Sequence, residues 1–215
     1  GKSTVARVLA RRLGYLYVDT GAMYRAVALK AHRLAVPPQD EAALAALLED
    51  TKIELKPGDG GTRVFLDGVE VTAEIRRPEV NAIVSTVAAV PVVRRRLVQQ
   101  QRRLAERGGV VLEGRDTGSF VAPWAHCKIF LTASLPTRIE RRYAELRAAG
   151  HDVALEQVAA DIAARDRTDT ERSVAPLVVP EGAFVIDTTG LDCAEVVEQI
   201  LTRCLKARVS GGNDR

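Results

Sequence analysis

Short, uninterrupted apolar runs alternate along this chain with longer segments of helical periodicity. The runs lie in YLYVDT, GGVVLEG, CKIFLTAS and AFVIDTTG. Continuous apolar runs of this kind are typical of strands that are buried on both faces, and intervening helices return the chain to the start of the next parallel strand. The pattern predicts an α/β fold with helices on both faces of a parallel sheet. Ligands of such folds bind at the carboxyl ends of the strands.

Punctuating residues predict where the helices begin and end. Gly14 closes a first helix over 2–13, and a second runs from about Ala22 to Arg33. Pro37 and Pro38 cannot continue that helix, and Asp40 can cap the next one. Further helical stretches are expected at 78–106 with a break at Pro91, at 136–166 with an interruption at Gly150, and at 193–209, before a disordered tail, SGGNDR.

The period changes after Lys52, where apolar and polar residues alternate on both sides of a Gly-rich turn. A second turn is expected at Asp67 and Gly68. This alternation predicts a small antiparallel meander at about 51–75, inserted between helical regions.

Composition excludes several classes of protein. With 215 residues and 47% hydrophobic content, the chain can bury one sizeable core, and no apolar run approaches the ~20 residues that span a membrane. The amino terminus lacks the pattern of a secretory leader, which favours a cytoplasmic enzyme. Cys127, Cys193 and Cys204 are far apart, and we expect them to be reduced, buried and without a role.

The first four residues, Gly1, Lys2, Ser3 and Thr4, are typical of the last third of a phosphate-binding loop. In such loops backbone N–H groups surround phosphate oxygens, the Lys reaches the outer phosphates, and the following hydroxyl binds Mg²⁺. The alternative is an ordinary helix start with a small capping residue.

Three further polar clusters fall where the fold places its ligand crevice: DTGAMYR, EGRDTG and RDRTDTER. Arg115 and Asp116 directly follow a buried strand, with a structural ion pair as the alternative reading. Arg165, Asp169 and Arg172 fall at i, i+4 and i+7 on one helical face, with an intrahelical salt bridge as the alternative. Arginines also cluster at 94–96 and 138–142, which suits phosphate binding, although a GC-rich genome would enrich arginine too.

Taken together, these motifs resemble bacterial cytidylate kinases. The resemblance runs from Gly1 to about Glu198 and includes the meander, VSTVAAVPVVRRRLVQQQR, KIFLTAS and RDRTDTERSVAPL. It implies a P-loop three-layer α/β fold with a parallel central sheet, a lid, and a small antiparallel sheet in the monophosphate-binding domain. The implied division is a core at 1–35 and 107–215 with a lid at about 138–172, and a monophosphate-binding region at 36–106. A family member would also carry a strand and a Gly-rich turn upstream of Gly1, which suggests that the sequence is truncated and that ATP binding is impaired.

The resemblance also implies the activity, which is transfer of the γ-phosphoryl group of ATP to CMP or dCMP with the help of Mg²⁺. Arg25, Arg115 and Arg172 would bind the acceptor phosphate, and Thr20 and Tyr24 would shape its pocket. By the same resemblance, Ser85, Arg94 and Asp116 would contact the cytosine, Arg165 and Asp169 would contact the ribose, and Arg138, Arg141 and Arg142 would flank the lid. ATP would be bound by Gly1, Lys2, Ser3 and Thr4. Among these, Lys2 would take part in phosphoryl transfer and Ser3 would bind Mg²⁺. A cytoplasmic monomer that binds neither nucleic acid nor membrane is expected.

Three alternatives remain at this point. A regulatory P-loop switch would need a base-reading motif such as N-K-x-D, which the sequence lacks. A nucleic-acid-binding module would use the arginine clusters, but a net charge of +3 and 4% aromatic residues argue against it. Another small-molecule kinase, acting on shikimate or dephospho-coenzyme A, is the nearer alternative.

Overall fold

The structure, a computed structural model, describes residues 1–58, 61–171 and 174–210, with side chains described through residue 205. The helices are α1 Lys2–Leu13, α2 Thr20–Arg33, α3 Glu41–Glu49, α4 Pro78–Ala89, α5 Pro91–Glu106, α6 Leu135–Ala148, α7 Leu155–Glu171 and α8 Cys193–Ser210. The strands are β1 Leu16–Asp19, β2 Ile53–Gly58, β3 Gly61–Leu66, β4 Val69–Glu70, β5 Val110–Glu113, β6 Ile129–Thr132 and β7 Phe184–Asp187. A 3₁₀ turn at Glu74–Arg76 and a π-type turn at Thr117–Val121 complete the set.

These elements form two compact units. The first unit contains residues 1–5 and 118–215, and the second unit contains residues 6–117. The predicted domain ranges differ from this division, and they stay a prediction.

The second unit combines a parallel strand pair with the predicted meander. β1 and β5 run parallel, with Leu16 opposite Val110 and Asp19 opposite Glu113. β2, β3 and β4 form an antiparallel sheet of three strands in that order. The core lies between this sheet and α2 to α5, and its fully buried side chains include Met23.

The first unit contains the other parallel pair, β6 and β7. The amphipathic helix α8 buries Val196, Val197 and Ile200, and Ile186 of β7 is buried in the same unit. Helices and parallel strands thus recur in both units, which confirms the predicted α/β class with its small antiparallel sheet.

Local signals explain where the elements end. Gly14 has a φ of +65°, and the Tyr15 N–H donates to the Ala10 carbonyl oxygen at 2.8 Å, which closes α1 in the way that glycine permits. α2 begins two residues earlier than expected, because the Asp19 carboxylate caps it by accepting from the Ala22 N–H at 2.9 Å. Pro91 begins α5, and the predicted break in the long helical stretch is confirmed there.

The predicted turns of the meander have two outcomes. Asp67 and Gly68 have φ values of +50° and +85° and join β3 to β4, so the Asp-Gly turn is confirmed. The Gly-rich turn between β2 and β3 includes residues 59 and 60, which lie outside the described residues, as does the tail at 211–215.

The prediction for the cysteines is wrong. Cys127 and Cys204 form a disulfide with their Cα atoms 5.4 Å apart, and neither side chain is fully buried. Cys193 is a free, half-buried thiol. The fold brings together two cysteines 77 residues apart in sequence, a pairing that spacing alone does not reveal. No helix among the described residues is long and apolar enough to cross a membrane.

Candidate active site

Two of the predicted polar clusters meet at the carboxyl ends of β1 and β5. Because these strands are parallel and paired in register, Thr20 follows β1 beside Gly114, which follows β5. The Thr20 hydroxyl donates to the Glu113 carbonyl oxygen at 2.8 Å, and the Tyr17 hydroxyl donates to the Glu113 carboxylate at 2.9 Å. The bond from Thr20 therefore joins the motifs DTGAMYR and EGRDTG directly, and the bond from Tyr17 links β1 to the same glutamate.

Gly114 permits this close approach of the two segments. A Cβ atom at position 114 would overlap the Thr20 hydroxyl oxygen and lie 2.7 Å from Cγ2 of Thr117. Any side chain here would displace Thr20, so the glycine of EGRDTG is required by space, not by backbone conformation.

A buried ion pair joins the end of β5 to α5. An Nη2 of Arg94 donates to Oδ2 of Asp116, and the two side chains are 2% and 7% exposed. The Arg94 guanidinium also lies over the Tyr24 ring, 5.6 Å from its centroid, and donates to the Ala88 carbonyl oxygen at 3.2 Å. Tyr24, Arg94 and Asp116, all expected at the acceptor nucleotide, therefore lie in one cluster. The structural ion pair that was the alternative reading for Asp116 is also present.

A second buried carboxylate positions Arg25. Asp19 accepts from Nη2 of Arg25 at 2.8 Å while its other oxygen caps α2. Gly21 lies against both groups, because a Cβ there would be 3.2 Å from Arg25 Nη1 and from Asp19 Oδ1. Arg25 is thus fixed at the first turns of α2, next to the segment that links β1 to the helix.

The remaining candidates of the second unit are less enclosed. Ser85 is half-buried on α4, and Arg115 is half-buried directly before Asp116.

The other candidates belong to the first unit. Gly1, Lys2, Ser3 and Thr4 form the start of α1, where the Val5 N–H donates to the Gly1 carbonyl oxygen at 3.1 Å. This is the helix start expected of a phosphate-binding loop, and it equally fits the alternative of an ordinary helix start. Ser3 and Thr4 are exposed, and Lys2 is half-buried.

The predicted lid arginines of the first unit make different contacts. Arg138 of α6 donates to Asp166 of α7 at 2.6 Å, and Arg141 donates to the Thr188 carbonyl oxygen at 2.7 Å. Arg142 pairs with Glu145 on its own helix at 2.9 Å. Arg138 therefore links the two helices of the predicted lid, whereas Arg141 contacts the segment after β7.

Arg165 and Asp169 lie on α7, which extends to Glu171 and so includes two of the three residues of the predicted face. Arg165 is exposed and Asp169 is 8% exposed. Arg172, the third member of that face, lies outside the described residues.

A sequence model of the family described as cytidylate kinase matches residues 1–206. The chain belongs to the cytidylate kinase family. The cytidylate kinase of Symbiobacterium thermophilum is 57% identical over 205 residues, which cover 95% of this chain and 91% of that protein. Those of Pelotomaculum thermopropionicum and Desulfitobacterium hafniense are 52% and 50% identical and cover 99% and 94% of this chain, and 92% and 87% of their own lengths.

In this cytidylate kinase family member, three residues that contact the candidate site are not assigned a role by the sequence motifs: Asp19, Gly114 and Arg76. Asp19 had a readable signal, since an Asp between a buried strand and a helix is a favourable N-cap. Gly114 and Arg76 had no comparable signal, because their importance depends on neighbours that are distant in sequence: Thr20 for Gly114, and Asp19 for Arg76.

Proposed function

We propose that this member of the cytidylate kinase family transfers the γ-phosphoryl group of ATP to CMP or dCMP, and that the Arg94–Asp116 cluster reads the cytosine. The observation that carries the assignment is the buried pair. Nε of Arg94 is buried without a hydrogen-bond partner within the described part of the chain, beside a carboxylate that can only accept when ionised. Cytosine offers ring acceptors and an amino donor, so a neighbouring donor and acceptor match its edge.

The acceptor phosphate would be bound by Arg25, Arg115 and Arg172. Phosphoryl transfer depends chiefly on positioning and on neutralising the charge of the two approaching phosphates, which arginine forks do well. The fixed position of Arg25 on Asp19 supports its role. Thr20 and Tyr24 would shape the pocket, Ser85 would face the base, and Arg165 with Asp169 would contact the ribose.

ATP would be bound at the start of α1 by Gly1, Lys2, Ser3 and Thr4. The backbone N–H groups of a helix start and its positive dipole end favour phosphate. Lys2 would contact the transferring phosphoryl group. The exposed hydroxyl of Ser3, in the first turn of α1, fits a Mg²⁺ ion that takes most of its oxygen ligands from phosphates and water. Bound Mg²⁺ would supply neutralisation of the phosphate charge.

The pair of helices at 138–172 would form the lid, with Arg138, Arg141 and Arg142 at its flank. Closure of a lid excludes water and prevents wasteful hydrolysis of ATP. The cross-helix contact of Arg138 with Asp166 would let α6 and α7 move together. We also infer a cytoplasmic monomer, with the core and monophosphate-binding ranges predicted above.

The test is a coupled assay of the full-length protein with CMP, dCMP, UMP and AMP. We expect efficient turnover of CMP and dCMP, weaker turnover of UMP, and little turnover of AMP. An analogue without the matching polar group leaves a buried group of the site without its hydrogen-bond partner, which costs free energy. Asp116→Ala should lower kcat/KM for CMP more than for UMP, and Glu79→Ala, an exposed carboxylate on α4, should leave both unchanged. Equal loss on CMP and UMP would remove Asp116 from base recognition, and efficient use of AMP would contradict the substrate assignment.

A further inference from the structure

Two arginines from separate elements converge on the buried carboxylate of Asp19. Oδ2 of Asp19 lies 2.8 Å from Nη2 of Arg25, on α2, and 3.8 Å from Nη2 of Arg76, in the 3₁₀ turn that follows the meander. Since one oxygen atom lies so close to both nitrogen atoms, a single small anion at this point could contact both guanidinium groups.

The cluster formed by Asp19, Arg25 and Arg76 has a net positive charge. Asp19 supplies one negative charge against two guanidinium groups, and its other oxygen is already occupied by the Ala22 N–H. Nε of Arg25 is buried and has no hydrogen-bond partner among the described residues. A buried donor without a partner is costly unless a ligand meets it. The cluster therefore retains capacity for an anion.

Arg76 differs from the arginine that follows it. Its side chain is 62% exposed and borders an open depression along Glu70–Glu74, yet it points back toward the buried Asp19. Arg77 is 58% exposed, and its ion pair is with Glu74 at 4.0 Å. Arg76 is thus accessible to a ligand from solvent while it is held beside Arg25, whereas Arg77 serves as a matched surface arginine.

We propose that Arg76 is a further ligand of the acceptor phosphate, held with Arg25 in a binding position by Asp19. The proposal rests on the proposed function, because it takes Arg25 as a phosphate ligand. Asp19 acts as a positioning residue: its carboxylate orients both guanidinium groups, and the phosphate of CMP then provides the additional negative charge that the pair requires. The meander thereby contributes a substrate-binding side chain through the 3₁₀ turn at its end.

The test compares the binding of CMP and of cytidine to the full-length protein by calorimetry, without ATP. Arg76→Met should weaken CMP binding by about 10- to 100-fold, the range expected for one charge-assisted hydrogen bond, and should leave cytidine binding unchanged. Arg76→Lys should recover part of the loss, since it keeps the charge without the fork. Arg77→Met, the control, should match wild type, and circular dichroism should show all variants folded.

The measurements have outcomes that would overturn the role proposed for Arg76. Unchanged CMP affinity in Arg76→Met overturns the inference, as does an equal loss for cytidine, which would place Arg76 at the nucleoside or in the fold. An equal effect of Arg77→Met would also overturn it, because general surface charge would then explain the result. Failure of wild type to bind and phosphorylate CMP would refute the proposed function itself, whereas normal turnover of CMP by wild type with normal binding by Arg76→Met refutes only the role of Arg76.

Discussion

At the scale of single residues, the second unit buries charged side chains that water would otherwise solvate. Asp19, Arg94 and Asp116 are each less than 9% exposed. Removing such groups from water is expensive, and the attraction between partners recovers that cost only when the geometry is good. Burial of such charges is therefore weak grounds for stability, and the position of Asp19 at the end of β1 and of Asp116 just after β5 favours a functional reason for retaining them.

Breaking the Arg94–Asp116 pair tests how the two charges depend on each other. Arg94→Met or Asp116→Asn alone should each lower the free energy of unfolding by about 3–5 kcal/mol, because each leaves one buried charge uncompensated. The double variant removes both charges, so its loss should be smaller than the sum of the two single losses by more than about 1 kcal/mol. Urea unfolding of the four proteins measures this coupling. Additive losses would mean that the two side chains do not stabilise each other.

At the scale of elements, one turn residue attaches the meander to α2 and to the residue that precedes its first strand. Asp67 accepts from the Lys52 N–H at 2.8 Å and pairs with Lys30 of α2 at 2.7 Å. Partial burial opposes ionisation, but the hydrogen bonds from Lys30 and from the Lys52 N–H, with the charge of Lys30, hold the pKa of Asp67 below its ordinary value. An ionised Asp67 therefore stabilises the folded state.

This shift predicts a pH-dependent contribution of the turn. A carboxylate whose pKa is lowered by folding stabilises above its unfolded pKa, near 3.8, and loses that effect as the pH falls through the folded value. Asp67→Asn should thus be less stable than wild type at pH 7, and the difference should shrink as the pH falls below about 4. Asn tolerates the positive φ of this position, so the turn is preserved.

Urea unfolding at several pH values measures the difference in the free energy of unfolding between wild type and Asp67→Asn. Lys30→Met removes the cation and keeps the carboxylate. Its free energy of unfolding should still decrease as the pH falls, but by less than that of wild type. A difference between wild type and Asp67→Asn that is constant with pH would contradict the assigned cause.

The elements were largely predictable because their signals are local. Apolar runs identified β1, β5, β6 and β7, alternation identified the meander, and Asp67-Gly68 gave a turn whose backbone suits those residues. α2 starts two residues before its predicted start, because the Asp19 carboxylate caps it, and helical periodicity alone does not include that cap. Periodicity fixes the middle of an element more firmly than its ends.

At the scale of the whole molecule, sequence motifs indicated which segments carry the site but not which side chains bind each other. The pairing of β1 with β5 explains why DTGAMYR and EGRDTG meet, and parallel strands made that predictable. The contacts of Asp19 with Arg76, of Gly114 with Thr20, and of Cys127 with Cys204 join residues far apart in sequence. Local patterns carry no information about such pairs.

The disulfide gives the first unit two covalent states. It joins the segment before β6 to α8 and closes a loop of 77 residues, which restricts the unfolded chain. A reducing compartment would keep both thiols free, whereas oxidation would form the bond. The stability of the unit should therefore depend on the redox conditions under which the protein is handled.

Thiol counting and thermal unfolding test this together. Oxidised protein, denatured without reductant, should show one reactive thiol, that of Cys193, and reduced protein should show three. Because the bond should contribute about 2–4 kcal/mol, the thermal midpoint of the oxidised form should be higher by about 5–15 °C. Cys204→Ser should abolish the difference between the two forms, and Cys193→Ser should preserve it. Three reactive thiols after oxidation, or equal midpoints for the two forms, would show that Cys127 and Cys204 do not stabilise the unit in this way.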